Sequence, residues 1–280
     1  MKNLTQLKDL IRNMAREKGI NAQILLRNYM LERLLERIAL SEFRNNFILK
    51  GGMLVAAVVG IDIRSTIDMD ATIKSYPLTI ETVQSIFSSI LSVPVDDSVI
   101  IVLVNAEEIR DEADYSGVRV SLEARFGGAR IPLKVDITTG DVITPKEVVY
   151  RFDLLLENRS IDILAYNIET VIAEKLETIL ARSIANSRMR DFYDLYILLK
   201  LRGQTINAKI LANAVNATAQ RRGTQELLPD GKTILQETFA DKNMRQSWGR
   251  YQKKYTYAGD ISWDEVQDAI FMLWNMTDFN

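Results

Sequence analysis

The stretch LKGGMLVAAVVGIDIRSTIDMDATIK, residues 49–74, contains the pattern that decides the fold. Two adjacent glycines, Gly51 and Gly52, stand before a compact apolar run that predicts a short helix. The segment IDMDATI alternates apolar and polar residues with period two, which predicts a β-strand. Asp68 and Asp70 lie on one face of this strand, and the apolar side chains lie on the other. The pattern is therefore a glycine turn, a helix and a strand that carries two carboxylates.

The two carboxylates require a compensating partner, because an unpaired ion in a folded interior costs more free energy than a core contact can offset. Side chains at i and i+2 of a strand lie ~6.5–7 Å apart, so Asp68 and Asp70 can reach a common cation or two adjacent cations. A later strand, 131–137, places Asp136 on its polar face, and Glu123 on a neighbouring strand is the alternative third carboxylate. Magnesium uses one or two protein carboxylates together with waters and substrate phosphates. We therefore predict a magnesium site with Asp68, Asp70 and Asp136 as ligands and manganese as the alternative ion.

The glycine pair is suited to contact nucleotide phosphates. Without side chains at Gly51 and Gly52, backbone N–H groups can approach a phosphate closely, and the N-terminus of the following helix points at it. Taken alone, a D-x-D strand is also typical of solvated sheet edges, and a lone glycine pair is a weaker signal still. The turn, the two aspartates and Asp136 together favour catalysis at a nucleoside triphosphate.

The composition restricts the chemistry that an active site of this chain can use. The 280 residues include no histidine and no cysteine. This excludes thiolate nucleophiles, Ser-His-Asp triads, imidazole bases, and zinc sites built on imidazole or sulfur. Carboxylates, amines, hydroxyls and bound ions remain. The formal net charge of −2 gives no overall attraction to nucleic acid, so a polyanionic partner requires a local basic patch.

Hydropathy and cysteine usage predict a cytoplasmic protein without a membrane partner. No apolar run approaches the ~18–20 residues of a membrane span, and the N-terminal residues lack the central apolar stretch of a secretory signal. The absence of cysteine excludes a disulfide framework and agrees with a reducing compartment.

Periodicity along the rest of the chain predicts an α+β protein. The predicted strands are 47–49, 67–73, 99–104, 118–125 and 131–137, with a hairpin turn at 126–129. The predicted helices are two within 3–40, the second capped by Asn21, and then 53–59, 79–91, 169–183, 191–201, 208–219 and 262–274, the last with a Ser262/Glu265 capping box. Strand signals fade from about Ser160. We therefore predict a domain over 1–160 with a helical N-terminal extension, and a helical domain over 161–280.

Several motifs in order make the chain resemble the DNA polymerase β-type nucleotidyltransferases. More specifically, it looks like the AbiEii/AbiGii nucleotidyltransferase toxins of bacterial abortive-infection and type IV toxin–antitoxin systems. The motifs are Leu49-Lys-Gly-Gly, Arg64-Ser-Thr-Ile-Asp-Met-Asp, Lys134-Val-Asp-Ile, Ala173-Glu-Lys-Leu and Arg188-Met-Arg-Asp-Phe-Tyr-Asp-Leu. The second turn position is glycine where many polymerase β-type enzymes have serine, and the gap between Gly52 and Asp68 is long for the superfamily. Both departures are ordinary for the toxins.

The resemblance implies a polymerase β-like mixed sheet with flanking helices, followed by a mainly helical C-terminal lobe. It implies that Asp68 and Asp70 bind the metals, that Thr66 and the glycine turn contact the nucleotide phosphates, and that Lys175 and Asp191 belong to the active cleft. The catalytic candidates are Asp68, Asp70, Lys175 and Asp191. The candidate nucleotide-binding residues are Lys50, Gly51, Gly52, Arg64, Thr66 and Arg182.

The helix predicted over 169–183 carries a pair of cations. Lys175 and Arg182 lie seven residues apart and therefore share a helix face. Lysine suits a β- or γ-phosphate as a point charge, whereas arginine can bind two oxygens at once. The alternative is a solvated helix face with Glu174 and Glu177 as neighbours.

Two features of the C-terminal half also have alternative explanations. Asp191 stands at a helix start, where a carboxylate stabilises the helix dipole, and the resemblance adds a role in orienting Lys175 or Arg190. The segment 245–257 mixes four cations with four aromatic residues, which suits stacking on single-stranded RNA. Its aromatic spacing of i, i+3 and i+7 also predicts packing in a helical core.

These features lead to the hypothesis of a magnesium-dependent nucleotidyltransferase toxin. It would transfer a nucleotide from a nucleoside triphosphate, with GTP among the candidates, to an RNA hydroxyl, and family analogy points to a tRNA 3′ end. The resemblance implies a cognate antitoxin that represses transcription without forming a stable complex with the toxin. The alternatives are a nucleotidyltransferase acting on a small molecule or a protein hydroxyl, and a non-catalytic nucleotide-binding module.

Overall fold

The computed structural model describes residues 3–109 and 117–279, which form an α+β fold. The strands of these residues are β1 (Phe47–Lys50), β2 (Met69–Ile73), β3 (Ile100–Ile109), β4 (Gly117–Phe126), β5 (Ala129–Thr138), β6 (Val148–Asp153) and β7 (Ser160–Ala165). Their α-helices are α1 (Leu4–Lys18), α2 (Ala22–Leu40), α3 (Gly51–Val59), α4 (Ile80–Leu91), α5 (Ile168–Arg182), α6 (Met189–Arg202), α7 (Ala208–Arg222), α8 (Gly231–Ala240), α9 (Lys242–Lys254) and α10 (Trp263–Asn275). The strands make one mixed sheet in the order β3-β4-β5-β2-β1-β7-β6. The predicted α+β class, a mixed sheet with flanking helices, is confirmed.

The central strands of the sheet bury one apolar face. β2 pairs antiparallel with β1 and parallel with β5, and β1 pairs parallel with β7. Met69 and Ala71 of β2 and Val135 and Ile137 of β5 are buried, because alternate residues of a strand share a face. Helix α2 packs against β5 and β7, and α4 packs against β3. The opposite face of the same strands carries the polar residues predicted as the site.

Local signals located most of the helices and the hairpin. Asn21 caps α2, Thr79 caps α4, and Ser262 with Glu265 forms the predicted capping box of α10. The hairpin between β4 and β5 has two consecutive glycines with φ of 52° and 86°, the backbone conformation that a two-residue primed turn requires. Among the described residues, no helix combines the length and apolar character needed to cross a membrane.

Some element predictions were wrong. The strand predicted over 67–73 begins at Met69, so Asp68 lies just before β2. Strand signals were expected to fade from Ser160, but residues Ser160–Ala165 form β7. Strand β6 and helix α8 were not predicted. β7 alternates polar and apolar residues at Ser160-Ile161-Asp162-Ile163 and pairs antiparallel with the nearby β6, so this local strand signal was missed.

The chain divides into two compact units. Unit 1 comprises Met1–Asp141 and Val148–Ala165, and unit 2 comprises Val142–Glu147 and Tyr166–Asn280. Unit 1 contains the sheet and helices α1 to α4, and unit 2 contains helices α5 to α10. The predicted domains, 1–160 and 161–280, would fold independently, and the division into compact units does not test this. That domain division stays a prediction.

In unit 2, the aromatic residues of α9 pack inward. Trp248 and Tyr251 are buried. Trp248 Nε1 donates a hydrogen bond to the carbonyl of Ile261 at 2.9 Å, and the hydroxyls of Tyr251 and Tyr257 lie 2.9 Å apart. For Trp248 and Tyr251, core packing is therefore confirmed over exposed stacking platforms.

Candidate active site

The turn between β1 and α3 accepts only glycine at its first position. Gly51 has a φ of +62°, which side chains strongly disfavour. A Cβ atom there would lie 2.2 Å from Oδ2 of Asp70. At Gly52, a Cβ atom would lie 3.0 Å from Oγ1 of Thr66 and 3.1 Å from Nη2 of Arg64. The predicted glycine turn therefore lies in direct contact with three of the predicted site residues.

Strand register brings four charged residues into one row across the sheet. Arg119 of β4 lies opposite Asp136 of β5, Asp136 lies beside Asp70 of β2, and Asp70 lies opposite Lys50 of β1. Paired residues point to the same face and their Cα atoms lie ~4.5–5.5 Å apart. The two acidic residues are therefore adjacent, with one cation on each outer side. Asp136 was predicted on a strand near Asp70, and the register places it there.

Asp70 is the member of the row whose charge is least compensated. Its Oδ2 accepts a hydrogen bond from the backbone N–H of Gly52 at 3.3 Å, and it has no ion pair among the described residues. Burial raises the pKa of Asp70, and the neighbouring Asp136 and Asp68 raise it further against the opposing effect of Lys50. A carboxylate in this environment binds a nearby cation favourably, because the cation offsets the negative charge that burial and the neighbouring carboxylates destabilise.

Asp68 provides a second carboxylate beside Asp70. Its side chain is 33% exposed, and its Oδ2 lies 4.0 Å from Nζ of Lys134. Two half-buried carboxylates at i and i+2 are the hard oxygen donors that magnesium or manganese prefers. The donor set of Asp68 and Asp70 therefore fits a divalent cation.

Asp136 is engaged by a guanidinium group. Nε and Nη2 of Arg119 donate to its two carboxylate oxygens at 2.8 and 2.9 Å, and Nζ of Lys134 lies 3.7 Å away. In residues 3–109 and 117–279, no three acidic side chains converge as a ready-made metal site. Glu123 binds Arg125 and lies opposite Pro132, displaced along β4 from this row. The metal contact of Asp136 stays a prediction, and Arg119 competes with it.

Lys50 makes an ion pair that was not predicted. Its Nζ donates to Oδ2 of Asp141 at 2.6 Å, and Oγ1 of Thr138 donates to the same oxygen at 2.6 Å. Asp141 lies in the loop after β5, where no periodic pattern marks it. The predicted contact of Lys50 with a phosphate stays a prediction, and it would require Lys50 to share its charge with Asp141.

The loop before β2 is fixed behind the glycine turn. Arg64 is 1% exposed, and its guanidinium group lies against Gly52. Oγ1 of Thr66 donates to the carbonyl of Asp68 at 3.2 Å, and Nδ2 of Asn28 donates to the carbonyl of Thr66 at 2.7 Å. These contacts position Asp68 from the backbone side. The phosphate contacts predicted for Arg64 and Thr66 stay predictions.

Unit 2 contains a buried cluster around Lys175. Nζ of Lys175 lies 2.6 Å from Oδ1 of Asp191 and 2.8 Å from Oδ2 of Asp194. Burial by itself would lower the pKa of Lys175, but the two carboxylates outweigh burial and raise it. Lys175 is therefore a fixed positive charge. Lys175 is not a solvated lysine, and Asp191 contacts it as the predicted orienting role requires. The active-site roles of both residues stay predictions.

Asp194 was missed as a site residue. Its side chain is fully buried, and it lies one helical turn after Asp191 on α6. The spacing i, i+3 in the motif Arg-Asp-Phe-Tyr-Asp signals that both carboxylates share a face. Arg182 lies in the last turn of α5, and its predicted phosphate contact stays a prediction.

The glutamates beside Lys175 have other partners. Nη1 of Arg222 binds Oε2 of Glu177, and its Nη2 lies 3.5 Å from Oε1 of Glu174. Oγ1 of Thr224 donates to Oε1 of Glu177 at 2.9 Å. These contacts join α5 to α7, and the ion pairs of Lys175 are with the two aspartates of α6.

Residues 33–269 match the family described as nucleotidyl transferase AbiEii toxin, type IV toxin–antitoxin system. The chain belongs to this family. It is therefore a nucleotidyltransferase, and the non-catalytic alternative is set aside. No curated protein sequence is significantly similar to the chain.

Two crystal structures from Helicobacter pylori have a similar fold to this AbiEii-family chain. A protein described as a candidate nucleotidyltransferase is 16% identical, with a TM-score of 0.52 over 92% of this chain and 94% of the other. The protein JHP933 is 15% identical, with a TM-score of 0.53 over 92% of this chain and 91% of the other. At these identities the likeness concerns the fold alone.

Proposed function

We propose that this AbiEii-family nucleotidyltransferase transfers a nucleotide from a nucleoside triphosphate to the 3′ end of a tRNA, with magnesium as the bound ion and manganese as an alternative. The observation that carries the proposal is Asp70, a half-buried carboxylate with no ion pair among the described residues, in contact with a glycine turn at a helix N-terminus. Family membership supports the triphosphate substrate. The tRNA acceptor rests on the family resemblance.

In this proposal Asp68 and Asp70 hold the divalent ion. When bound, that ion supplies positive charge to the triphosphate and to the attacking hydroxyl. The N-terminus of α3 at Gly51 and Gly52 would contact the phosphates, because a helix N-terminus stabilises anions, and the Gly52 N–H would be shared between a phosphate and Asp70. Asp136 would contact the ion only by sharing its charge with Arg119, which binds both of its carboxylate oxygens.

Lys175 serves in this proposal as a permanent cation rather than as a base. Asp191 and Asp194 keep it protonated at neutral pH, so it cannot accept a proton from the acceptor hydroxyl. A lysine held by two carboxylates has a fixed direction, which suits it to bind phosphate oxygen. Conversion of Lys175 to methionine removes a positive charge and leaves the carboxylates of Asp191 and Asp194 without it, the second of them fully buried.

The family description includes an antitoxin, and we propose that this partner is a transcriptional repressor that forms no stable complex with the chain. Co-expression of the tagged toxin with a repressor encoded beside its gene tests this proposal. We expect relief of growth arrest without co-purification. Recovery of a stoichiometric complex would contradict it.

The test of the transfer reaction uses purified protein, total tRNA, MgCl2 and each labelled nucleoside triphosphate in turn. We expect labelled tRNA with the wild type and none with Asp68→Ala or Asp70→Ala. Asp62→Ala is the matched control, because Asp62 is an exposed carboxylate of the same segment, paired with Lys18 at 3.2 Å. Label that survives in either site variant contradicts the metal assignment. If the label appears on protein or on small hydroxylated molecules and not on tRNA, the acceptor is one of those molecules and not tRNA.

A further inference from the structure

Helix α9 presents a basic surface that the catalytic proposal does not use. Its thirteen residues, KNMRQSWGRYQKK, include five Lys or Arg and no Asp or Glu, whereas the whole chain has 35 basic and 37 acidic residues. Its buried residues are Met244, Trp248 and Tyr251. The five cations are Lys242, Arg245, Arg250, Lys253 and Lys254, and all five are exposed. At 3.6 residues per turn, Lys242, Arg250 and Lys253 lie on the side opposite the buried residues, and Arg245 and Lys254 flank that side.

Helix stability does not account for this arrangement. Cations in the last turn, Lys253 and Lys254, favour the helix dipole, but Lys242 stands in the first turn, where a cation is unfavourable. Arg250 lies three and four residues before Lys253 and Lys254, and like charges at those spacings destabilise a helix slightly. Arg245 is the member of this face that binds a carboxylate, Asp264, at 2.6 Å. The face therefore costs some helix stability and favours an external anion.

The C-terminal end of this face connects to the Lys175 cluster within unit 2. Nη2 of Arg190 donates to the hydroxyl of Tyr255 at 3.1 Å, and Nζ of Lys254 lies 5.3 Å from the ring centroid of Tyr255. Burial would raise the pKa of the Tyr255 hydroxyl, but Arg190 and Lys254 lower it, which reflects a locally positive potential. Arg190 directly precedes Asp191, the partner of Lys175. A chain of positive charge thus runs from the α9 face to the start of α6.

We propose that the exposed face of α9, continued by Arg190, binds the sugar–phosphate backbone of the acceptor RNA. This inference rests on the proposed transfer to RNA and names the surface that receives the acceptor. A row of exposed lysines and arginines complements a polyphosphate backbone and reads no base sequence. The inward packing of Trp248 and Tyr251 leaves phosphate contact, rather than base stacking, as the main interaction of α9.

The test measures equilibrium binding of total tRNA to the full chain over a range of KCl concentrations. Lys253→Ala/Lys254→Ala removes two cations from the face. Lys209→Ala/Lys232→Ala is the matched control, because it removes two exposed lysines from α7 and α8 and changes the net charge equally. We expect the magnitude of the slope of log K against log [KCl] to fall by about 1.4–1.8 in the α9 variant, at ~0.7–0.9 per lost phosphate contact. The control should keep the wild-type slope.

An α9 variant with the slope and affinity of the control overturns the inference. Charge reversal, Lys253→Glu/Lys254→Glu, provides a second measurement in which tRNA binding should fall further than in the alanine variant. In the transfer assay, KM for tRNA should rise by a larger factor than kcat falls in the α9 variants. A wild type that binds tRNA with this salt dependence but labels no tRNA refutes the proposed transfer and leaves the binding surface standing. A wild type that labels tRNA while the α9 variants keep its KM refutes the surface alone.

Discussion

Substitution of Gly51 by alanine tests the geometry of the site most directly. A Cβ atom at this position would lie 2.2 Å from Oδ2 of Asp70, whereas real Cβ contacts essentially never fall under 3.0 Å. Asp70 or the turn must therefore move by at least 0.8 Å, the difference between these two distances. Misplacement of a reacting group by about 1 Å can lower the rate by about 100-fold. We expect Gly51→Ala to lower nucleotide transfer by about that factor.

Gly19 provides a control that distinguishes the displacement of Asp70 from the backbone strain of alanine at positive φ. Gly19 has a φ of +65°, close to the +62° of Gly51, but a Cβ atom at Gly19 meets nothing within 4 Å. Alanine in this conformation costs about 1–2 kcal/mol, which lowers Tm by about 2–8 °C in a chain of this size. Gly19→Ala should therefore lose stability within that range and keep its activity.

The assay combines thermal unfolding with the labelled-triphosphate transfer reaction for both variants. Gly51→Ala should lose at least as much stability as Gly19→Ala and far more activity. Adding Asp70→Ala to Gly51→Ala removes Oδ2 and Cγ of Asp70, which would lie 2.2 and 2.8 Å from the new Cβ, but keeps the Cβ of residue 70 at 2.8 Å. The double variant should therefore regain part, and not all, of the stability lost by Gly51→Ala. Equal activity in Gly51→Ala and Gly19→Ala would refute the proposed role of the turn in placing Asp70.

Three further perturbations test other parts of the structure. Asp194→Asn should lower the free energy of unfolding by about 3 kcal/mol in a urea titration, because Lys175 then keeps a buried charge with one carboxylate fewer; no loss would contradict the buried cluster. Burial raises the pKa of Glu32 from 4.5 to about 8. Between these two values the carboxyl of Glu32 is protonated in the folded state and ionised in the unfolded state. Wild-type stability should therefore fall as pH rises from about 4.5 to about 8, by up to ~1.4 kcal/mol per pH unit, and Glu32→Gln should remove that slope in unfolding measured across pH. Calorimetry without nucleotide should show that Asp70→Asn loses about tenfold more Mn²⁺ affinity than Asp136→Asn, a difference of about 1.4 kcal/mol. Equal losses of affinity would make Asp136 a direct ligand of the ion.

The sequence predicted the strand, turn and helix around the glycine pair because the determinants are local. Positive φ at Gly51, the apolar run of α3 and the alternation in β2 each depend on neighbouring residues. The adjacency of Asp70 and Asp136 was also expected, because each lies in mid-strand on a polar face. Register then fixed which residues stand beside them, and register depends on pairing between distant strands.

The partners of the predicted residues could not be found in the same way. Arg119 binds Asp136 because β4 and β5 pair in one particular register. Asp141 binds Lys50 from a loop, where periodicity carries no information. The spacing of Asp194 was visible in the sequence, but its complete burial depends on how α5 and α6 pack around Lys175. Local patterns thus identified the candidate residues, and tertiary pairing determined which charges they meet.

The charge row across the sheet explains why the turn glycine and Asp70 depend on each other. The outer cations of the row are already engaged, Arg119 with Asp136 and Lys50 with Asp141. The remaining carboxylate, Asp70, is held by a single backbone N–H from the turn, which requires the turn to approach it more closely than a side chain at Gly51 allows. A bulkier residue at Gly51 therefore disturbs Asp70, whereas removal of Asp70 leaves the turn without its acceptor. The turn and the carboxylate therefore depend on each other structurally, and a divalent cation that carries a triphosphate would bind the negative charge of Asp70.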